Sequence, residues 1–141
     1  MAHLTIRAHA NAPIETTWSV LADQGGMTKW LPATVSLERE GDPPPDGVGC
    51  IRVVTRRPLR VREQITEIEA PSRLVYRLLS GLPVRHYVGQ TMLTGDDRET
   101  DIRWTIDFTS PVPGMAYVVR LAIQAAATNL AAASERAAGH G

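Results

Sequence analysis

The residue pattern predicts an α+β fold in which a long helix lies across a curved antiparallel sheet, and three observations carry that prediction. From Ala33 to Thr109 apolar and polar residues alternate with a period of two, in six runs broken by short turns. Successive half-buried strands joined this way form an antiparallel meander. Ahead of them stand one more alternating run and two short helical pieces. Behind them, Pro113 to Ala138 reads as one helix, with Pro113 in the first turn and Gly139 and Gly141 past its end. At roughly 1.5 Å per residue it would run about 35 Å. Helices segregated from a run of strands define the α+β class.

Each element has its own signal. His3 to His9 sets Leu4, Ile6 and Ala8 on one face and Thr5, Arg7 and His9 on the other, a first strand. Pro13, with Glu15 close behind, starts a helix whose apolar face is Ile14, Trp18, Leu21 and Ala22; Gly25 and Gly26 stop it. Met27 to Leu31 forms a second short helical piece, ended by Pro32. Strands are then expected around Val35 and Leu37, at Cys50 to Thr55, Leu59 to Ile68, Arg73 to Leu79, Val84 to Thr94 and Asp101 to Thr109. The run GDPPPDGVG from Gly41 to Gly49 is a loop.

The last helix carries Met115, Val119, Ala122, Ala126, Leu130 and Ala133 on one stripe. Its other side is hardly more polar, since Tyr117, Val118, Leu121, Ile123 and Ala125 are interrupted only by Arg120, Gln124, Thr128 and Asn129. A helix apolar nearly all round is expected to be covered on most sides. Its many alanines imply a filling that protein side chains leave incomplete.

Composition narrows the function classes. The chain of 141 residues is expected to be one domain with a core that needs neither disulfide nor structural metal. Fifteen Lys+Arg against 15 Asp+Glu give no net charge, which argues against nucleic acid or an anionic membrane as the main partner. One cysteine, Cys50, excludes an internal disulfide and a Cys-pair zinc site and fits a reducing compartment. With no signal-peptide pattern at the start, a cytoplasmic location is expected. Polar interruptions and alanine make the last helix a poor membrane span. His3, His9, His86 and His140 show no ligand spacing, so neither metal nor cofactor is expected. No phosphate loop or Ser-His-Asp set stands out.

Strand registers select the residues that share a face. A two-residue turn at Arg57 and Pro58 sets Arg52 opposite Glu63 and Val54 opposite Val61. Glu63 lies between Val61 and Ile65 at a spacing of two, so the Arg52–Glu63 pair sits either inside an apolar cavity or on a solvated face as a surface bridge. A turn at Asp97 and Arg98 pairs Leu93 with Ile102, Thr91 with Trp104, Gly89 with Ile106 and Tyr87 with Phe108. Gly89 in mid-strand either leaves room for something to approach or bends the sheet. Buried Tyr87 and Thr91 would bring hydroxyls into an apolar space. Trp18 reads as core, and Trp30, beside Pro32, either caps a cavity mouth or packs.

The order of elements and several local motifs resemble the Bet v 1-like or START-like (SRPBCC) superfamily, in particular its polyketide cyclase/dehydrase branch. The matching stretches are Ala12 to Leu21 (APIETTWSVL), Trp30 to Pro32 (WLP), Gly47 to Arg52 (GVGCIR), Arg62 to Ile65 (REQI), Leu74 to Pro83 (LVYRLLSGLP), and Thr100 to Phe108 leading into Pro113 and Gly114. The resemblance implies a helix-grip fold, a seven-stranded antiparallel sheet wrapped around the C-terminal helix with a hydrophobic cavity between. It implies binding of lipids, sterols, polyketides or other apolar molecules, with catalysis in some members. Arg52, Glu63, Tyr76, Tyr87 and Trp104 are the polar positions that could match the cavity of a cyclase.

Three functions follow as expectations. The first is binding of a hydrophobic small molecule between sheet and helix, lined by Trp30, Val54, Ile65, Tyr76, Tyr87, Gly89, Thr91, Trp104, Ile106, Phe108, Met115, Val119 and Ala122. The second is a cyclase or dehydratase in which Arg52 stabilises an enolate and Glu63 shuttles a proton. The third is an interaction protein that dimerises through Val118, Leu121 and Ala125.

Overall fold

In the computed structural model, residues 1–139 are described; His140 and the second expected helix stop, Gly141, lie outside them. Strand β1 (Ala2–Ala10) leads into α1 (Ile14–Ala22) and a 3₁₀ turn (Gly25–Lys29). Then come β2 (Thr34–Arg39), β3 (Ile51–Arg56), β4 (Leu59–Glu69), β5 (Arg73–Ser80), β6 (Arg85–Gly95) and β7 (Thr100–Thr109), followed by α2 (Met115–Ala137). All neighbours are antiparallel, in the order β1-β7-β6-β5-β4-β3-β2. The meander therefore runs in sequence order, and β1 closes it by pairing with β7.

The two short turns fix most of the expected register. Arg52 faces Glu63 and Val54 faces Val61, while Leu93, Thr91 and Gly89 face Ile102, Trp104 and Ile106. The expected pairing of Tyr87 with Phe108 does not hold. The register shifts between Arg85 and Val88, and His86 adopts φ 56°. An extra residue in β6 is accommodated there as a bulge, which re-aims the side chains beside it. Tyr87 still turns inward and stacks on Phe108 with ring centroids 5.8 Å apart.

The inner face of the sheet forms the core with α1 and α2. Leu4, Ile6, Ile65, Leu74, Tyr76, Leu93, Ile102, Trp104, Ile106 and Phe108 belong to it, as does Trp18 from α1. A polar tie fastens the edge where α1 begins: Thr17 Oγ1 donates to Thr100 Oγ1 at 3.2 Å, and Thr100 Oγ1 donates to the Ala12 carbonyl at 2.9 Å.

Helix α2 departs from expectation in two ways. It begins at Met115, because Gly114 takes a left-handed conformation with φ 82° that breaks the helical path after Pro113. It is also covered on fewer sides than its composition suggests. The buried residues of its second half are Ala126, Ala127, Leu130, Ala131 and Ser134, against β1 and α1. In its first half only Met115 and Val119 are buried, whereas Tyr117, Val118 and Leu121 are 67%, 53% and 54% exposed. The sheet supplies one covering surface and α1 reaches only the C-terminal half, so the outer face of the first half meets solvent. Among the described residues no helix is long and apolar enough to cross a membrane.

Candidate ligand site

A cavity of about 170 Å³ lies between the middle of α2 and the β3–β7 part of the sheet. Val54, Val61, Tyr87 and Trp104 line the sheet side, together with Arg52, Glu63 and Tyr76. Ala122, Ile123 and Ala126 line the helix side, and Met27, Leu31 and Leu82 come from connections. Ala122 is exposed while Ala126 is buried, so the cavity opens beside Ala122 and deepens toward Ala126.

Arg52 is the organising charge. Its side chain is only 2% exposed, and that of its partner Glu63 is 12% exposed. The surface-bridge alternative for this pair is thereby removed. Arg52 Nε donates to Glu63 Oε1 at 2.8 Å, and Nη1 donates to Gln24 Oε1 at 2.6 Å and toward Met27 Sδ at 3.3 Å. Its guanidinium carbon lies 4.6 Å from the centre of the Tyr76 ring, a cation–π contact. Nη2 has no hydrogen-bond partner among the described residues. The sealed polar atoms that lack partners are Trp30 Nε1 and Thr91 Oγ1, so Nη2 is not sealed and is reached from the cavity that Arg52 lines.

Gln24 holds this arrangement from the loop after α1. Its side-chain amide donates to the Ala22 carbonyl at 3.1 Å, and its backbone N–H donates to Asp46 Oδ1 at 3.0 Å. The side-chain oxygen is thereby aimed at Arg52. Burial, the leading cause, raises the Asp46 carboxyl above the usual range against the lowering effect of the Gln24 bond.

The aromatic wall is built around Gly89. Tyr76 pairs with Gly89 across β5 and β6, and a Cβ on Gly89 would overlap the Tyr76 ring. What approaches this glycine is therefore the Tyr76 phenol. Trp104 Nε1 donates to the Tyr76 hydroxyl at 3.1 Å, and the two rings meet edge to face. Burial foremost, with the Glu63 charge adding to it, pushes the Tyr76 phenol up; burial likewise leads the rise at Tyr87, with Tyr76 and Glu63 adding to it. Both stay protonated across the physiological range and act as hydroxyls.

Of the residues expected from sequence, Arg52, Glu63, Val54, Tyr76, Tyr87, Trp104 and Ala122 meet at this cavity. Ile65, Gly89, Thr91, Ile106, Phe108, Met115 and Val119 are buried in the surrounding core. Trp30 lies elsewhere: it is buried in the core and borders an outer groove between α1, the 3₁₀ turn and the end of α2. Sequence reasoning passed over Gln24, Met27, Leu31, Val61 as lining, Leu82, Ile123 and Ala126. Gln24 gave one signal, a polar residue directly before the Gly25–Gly26 stop, but nothing pointed it at Arg52.

Residues 1–135 match the family model described as polyketide cyclase / dehydrase and lipid transport. The chain belongs to this family. The solved structures agree on the fold. A START superfamily protein from Mycobacterium smegmatis has a TM-score of 0.76 at 14% identity, covering 95% of this chain and 97% of that one. A Thermobifida fusca protein has a TM-score of 0.78 at 24% identity, covering 99% and 95%. Norcoclaurine synthase from Thalictrum flavum, solved with dopamine and hydroxybenzaldehyde, has a TM-score of 0.71 at 16% identity, covering 96% and 87%. A search of curated proteins finds no match. The helix-grip α+β fold is thus established for this chain and is shared with the START superfamily protein and norcoclaurine synthase.

Proposed function

We propose that this protein binds a hydrophobic small molecule in the cavity between the sheet and α2, with Arg52 and Glu63 as its polar anchor. The observation that carries the reading is Nη2 of Arg52, a donor on a side chain 2% exposed that has no partner among the described residues and lies at an apolar cavity. A charged donor that opens onto a mostly apolar cavity keeps a hydrogen-bonding capacity that no protein group fills, and a ligand oxygen would satisfy it. A mostly apolar concave site with a few convergent polar groups is the usual composition of a small-molecule pocket. The family's description, polyketide cyclase / dehydrase and lipid transport, supports the same reading. The test is thermal denaturation of the full chain with small aromatic compounds, fatty acids, aromatic polyketides and sterols, together with mass spectrometry of molecules released on unfolding. A rise in Tm or a copurifying apolar compound is expected. No shift and no released molecule would remove the reading.

One observation favours a second reading, a cyclase- or dehydratase-type enzyme: Glu63 lines the same cavity as Arg52 and only its Oε1 is engaged by the guanidinium. A carboxylate beside a fixed cation could move a proton while the cation stabilises developing enolate charge. Glu63→Gln would then abolish turnover and spare binding. Unchanged turnover would take Glu63 out of the mechanism.

A further inference from the structure

The Arg52–Glu63 contact is one-sided. Nε meets Oε1 at 2.8 Å, but no second bond runs from Nη2 to the other carboxylate oxygen, Oε2. In a guanidinium, Nε and Nη2 form the fork that matches the two oxygens of a carboxylate. With that fork half closed, an unused donor on Nη2 and an unused acceptor on Oε2 belong to one cavity wall. One chemical group satisfies both, a hydroxyl, which accepts and donates through the same oxygen.

Charge and size narrow the class. The pair is neutral as a unit, so a ligand carboxylate drawn to Arg52 would also stand beside the Glu63 carboxylate; like charges at such a site disfavour the ionised ligand. The cavity of about 170 Å³ compares with an engineered cavity of about 150 Å³ that holds benzene, and with the roughly 300–1,000 Å³ of pockets for drug-sized ligands. The rest of the wall is aromatic or aliphatic, with Tyr87 and Trp104 facing Ala122 and Ala126. That wall suits one flat ring.

We propose that the occupant is a neutral single-ring phenol whose hydroxyl accepts from Arg52 Nη2 and donates to Glu63 Oε2. The proposal rests on the reading of this cavity as a ligand site. It separates the chain from carriers of long acyl chains or fused rings, which need more room than the cavity offers.

Isothermal titration of the full chain with 4-ethylphenol, 4-ethylanisole, 4-ethylbenzoate, palmitate and cholesterol tests it. 4-Ethylphenol is expected to bind about tenfold or more tightly than the anisole, which has the same oxygen without the proton, because a hydrogen bond to a charged group is lost. The benzoate is expected to bind more weakly than the phenol as well. In Glu63→Gln the preference for phenol over anisole should shrink several-fold; the comparison within wild type stands alone should that variant not fold. Equal affinity for phenol and anisole overturns the bridging hydroxyl. Binding of palmitate or cholesterol but not of the phenol overturns the size and class while the ligand-site reading survives. No binding by any of the five overturns both.

Discussion

Replacing both members of the Arg52–Glu63 pair by apolar residues should leave the protein about as stable as it is now, whereas removing either one alone should not. In Arg52→Met the carboxylate of Glu63, 12% exposed, loses the cation 2.8 Å away, and Gln24 Oε1 loses the donor at 2.6 Å. Breaking a buried pair by removing one partner costs about 3–5 kcal/mol. Glu63 keeps a little solvent, so about 3 kcal/mol is expected. Unfolding entropy near 2.1 cal/mol/K per residue gives about 0.3 kcal/mol/K for a chain of this length, so that loss lowers Tm by about 10 °C. Arg52→Met with Glu63→Leu removes both charges and their desolvation, and such replacements are often neutral or stabilising. Urea denaturation of the four proteins gives the coupling directly as a double-mutant cycle, with an unchanged m value required for the comparison. The reasoning fails if Arg52→Met unfolds within about 0.5 kcal/mol of wild type, the range of surface substitutions, or if the double variant is less stable than both singles.

Four other outcomes are expected. Gly89→Ala should cost about 1–3 kcal/mol through overlap with the Tyr76 ring, and the cost should fall in a Tyr76→Leu background; an equal cost in both would point to the backbone instead. Thr91→Val removes a sealed hydroxyl without a partner and should raise stability by up to about 1 kcal/mol by denaturant melt, while loss of stability would show that Thr91 Oγ1 has a partner. The hydrogen bond to Asp101, foremost, holds the His9 imidazole above its ordinary value of 6.5, so its contribution to stability is full below that value and is lost as pH rises through the folded-state pKa; an NMR titration should place the midpoint above 6.5 and Asp101→Asn should lower it. Ala122→Leu fills the mouth of the cavity and should abolish ligand-induced shifts in Tm while changing stability by no more than about 0.5 kcal/mol, and retained binding would move the ligand elsewhere.

The parts of this molecule legible in the sequence are those set by local periodicity and two-residue turns. Turns at Arg57–Pro58 and Asp97–Arg98 leave one register for β3–β4 and for most of β6–β7, and so set Arg52 against Glu63 and Thr91 against Trp104 from the sequence alone. The same arithmetic failed at Tyr87, because a bulge at His86 adds a residue that no period records. Gly89 left two alternatives, a close approach or a bend in the sheet, and the neighbour that decides between them, Tyr76, depends on the β5–β6 pairing across the longer Gly81–Val84 turn. The remaining lining was out of reach for the same kind of reason. Met27, Leu31 and Leu82, and Gln24 behind Arg52, stand in connections, where neither a period of two nor one of 3.6 assigns a face; Val61, Ile123 and Ala126 lie in regular elements, but their sharing of one cavity depends on how α2 crosses the sheet. Trp30, two residues before Pro32, has the composition of a cavity residue but packs in the core at the border of the outer groove.

Stability and the ligand site occupy different lengths of α2. The buried run from Ala126 to Ser134 uses alanines and Leu130 to sit close against β1 and α1, and close packing is where a changed methylene is felt. The preceding turns, Leu121 to Ala125, are largely exposed, and Ala122 and Ile123 touch the cavity. A buried ion pair adds little net stability, so the fold alone gives no reason to keep Arg52 and Glu63 inside. Their retention beside small helix side chains is explained if that space serves a ligand. Substitutions before Ala126 should then change affinity with little effect on folding, and those after it should do the reverse; Ala126 itself, both buried and lining, is where the two effects meet.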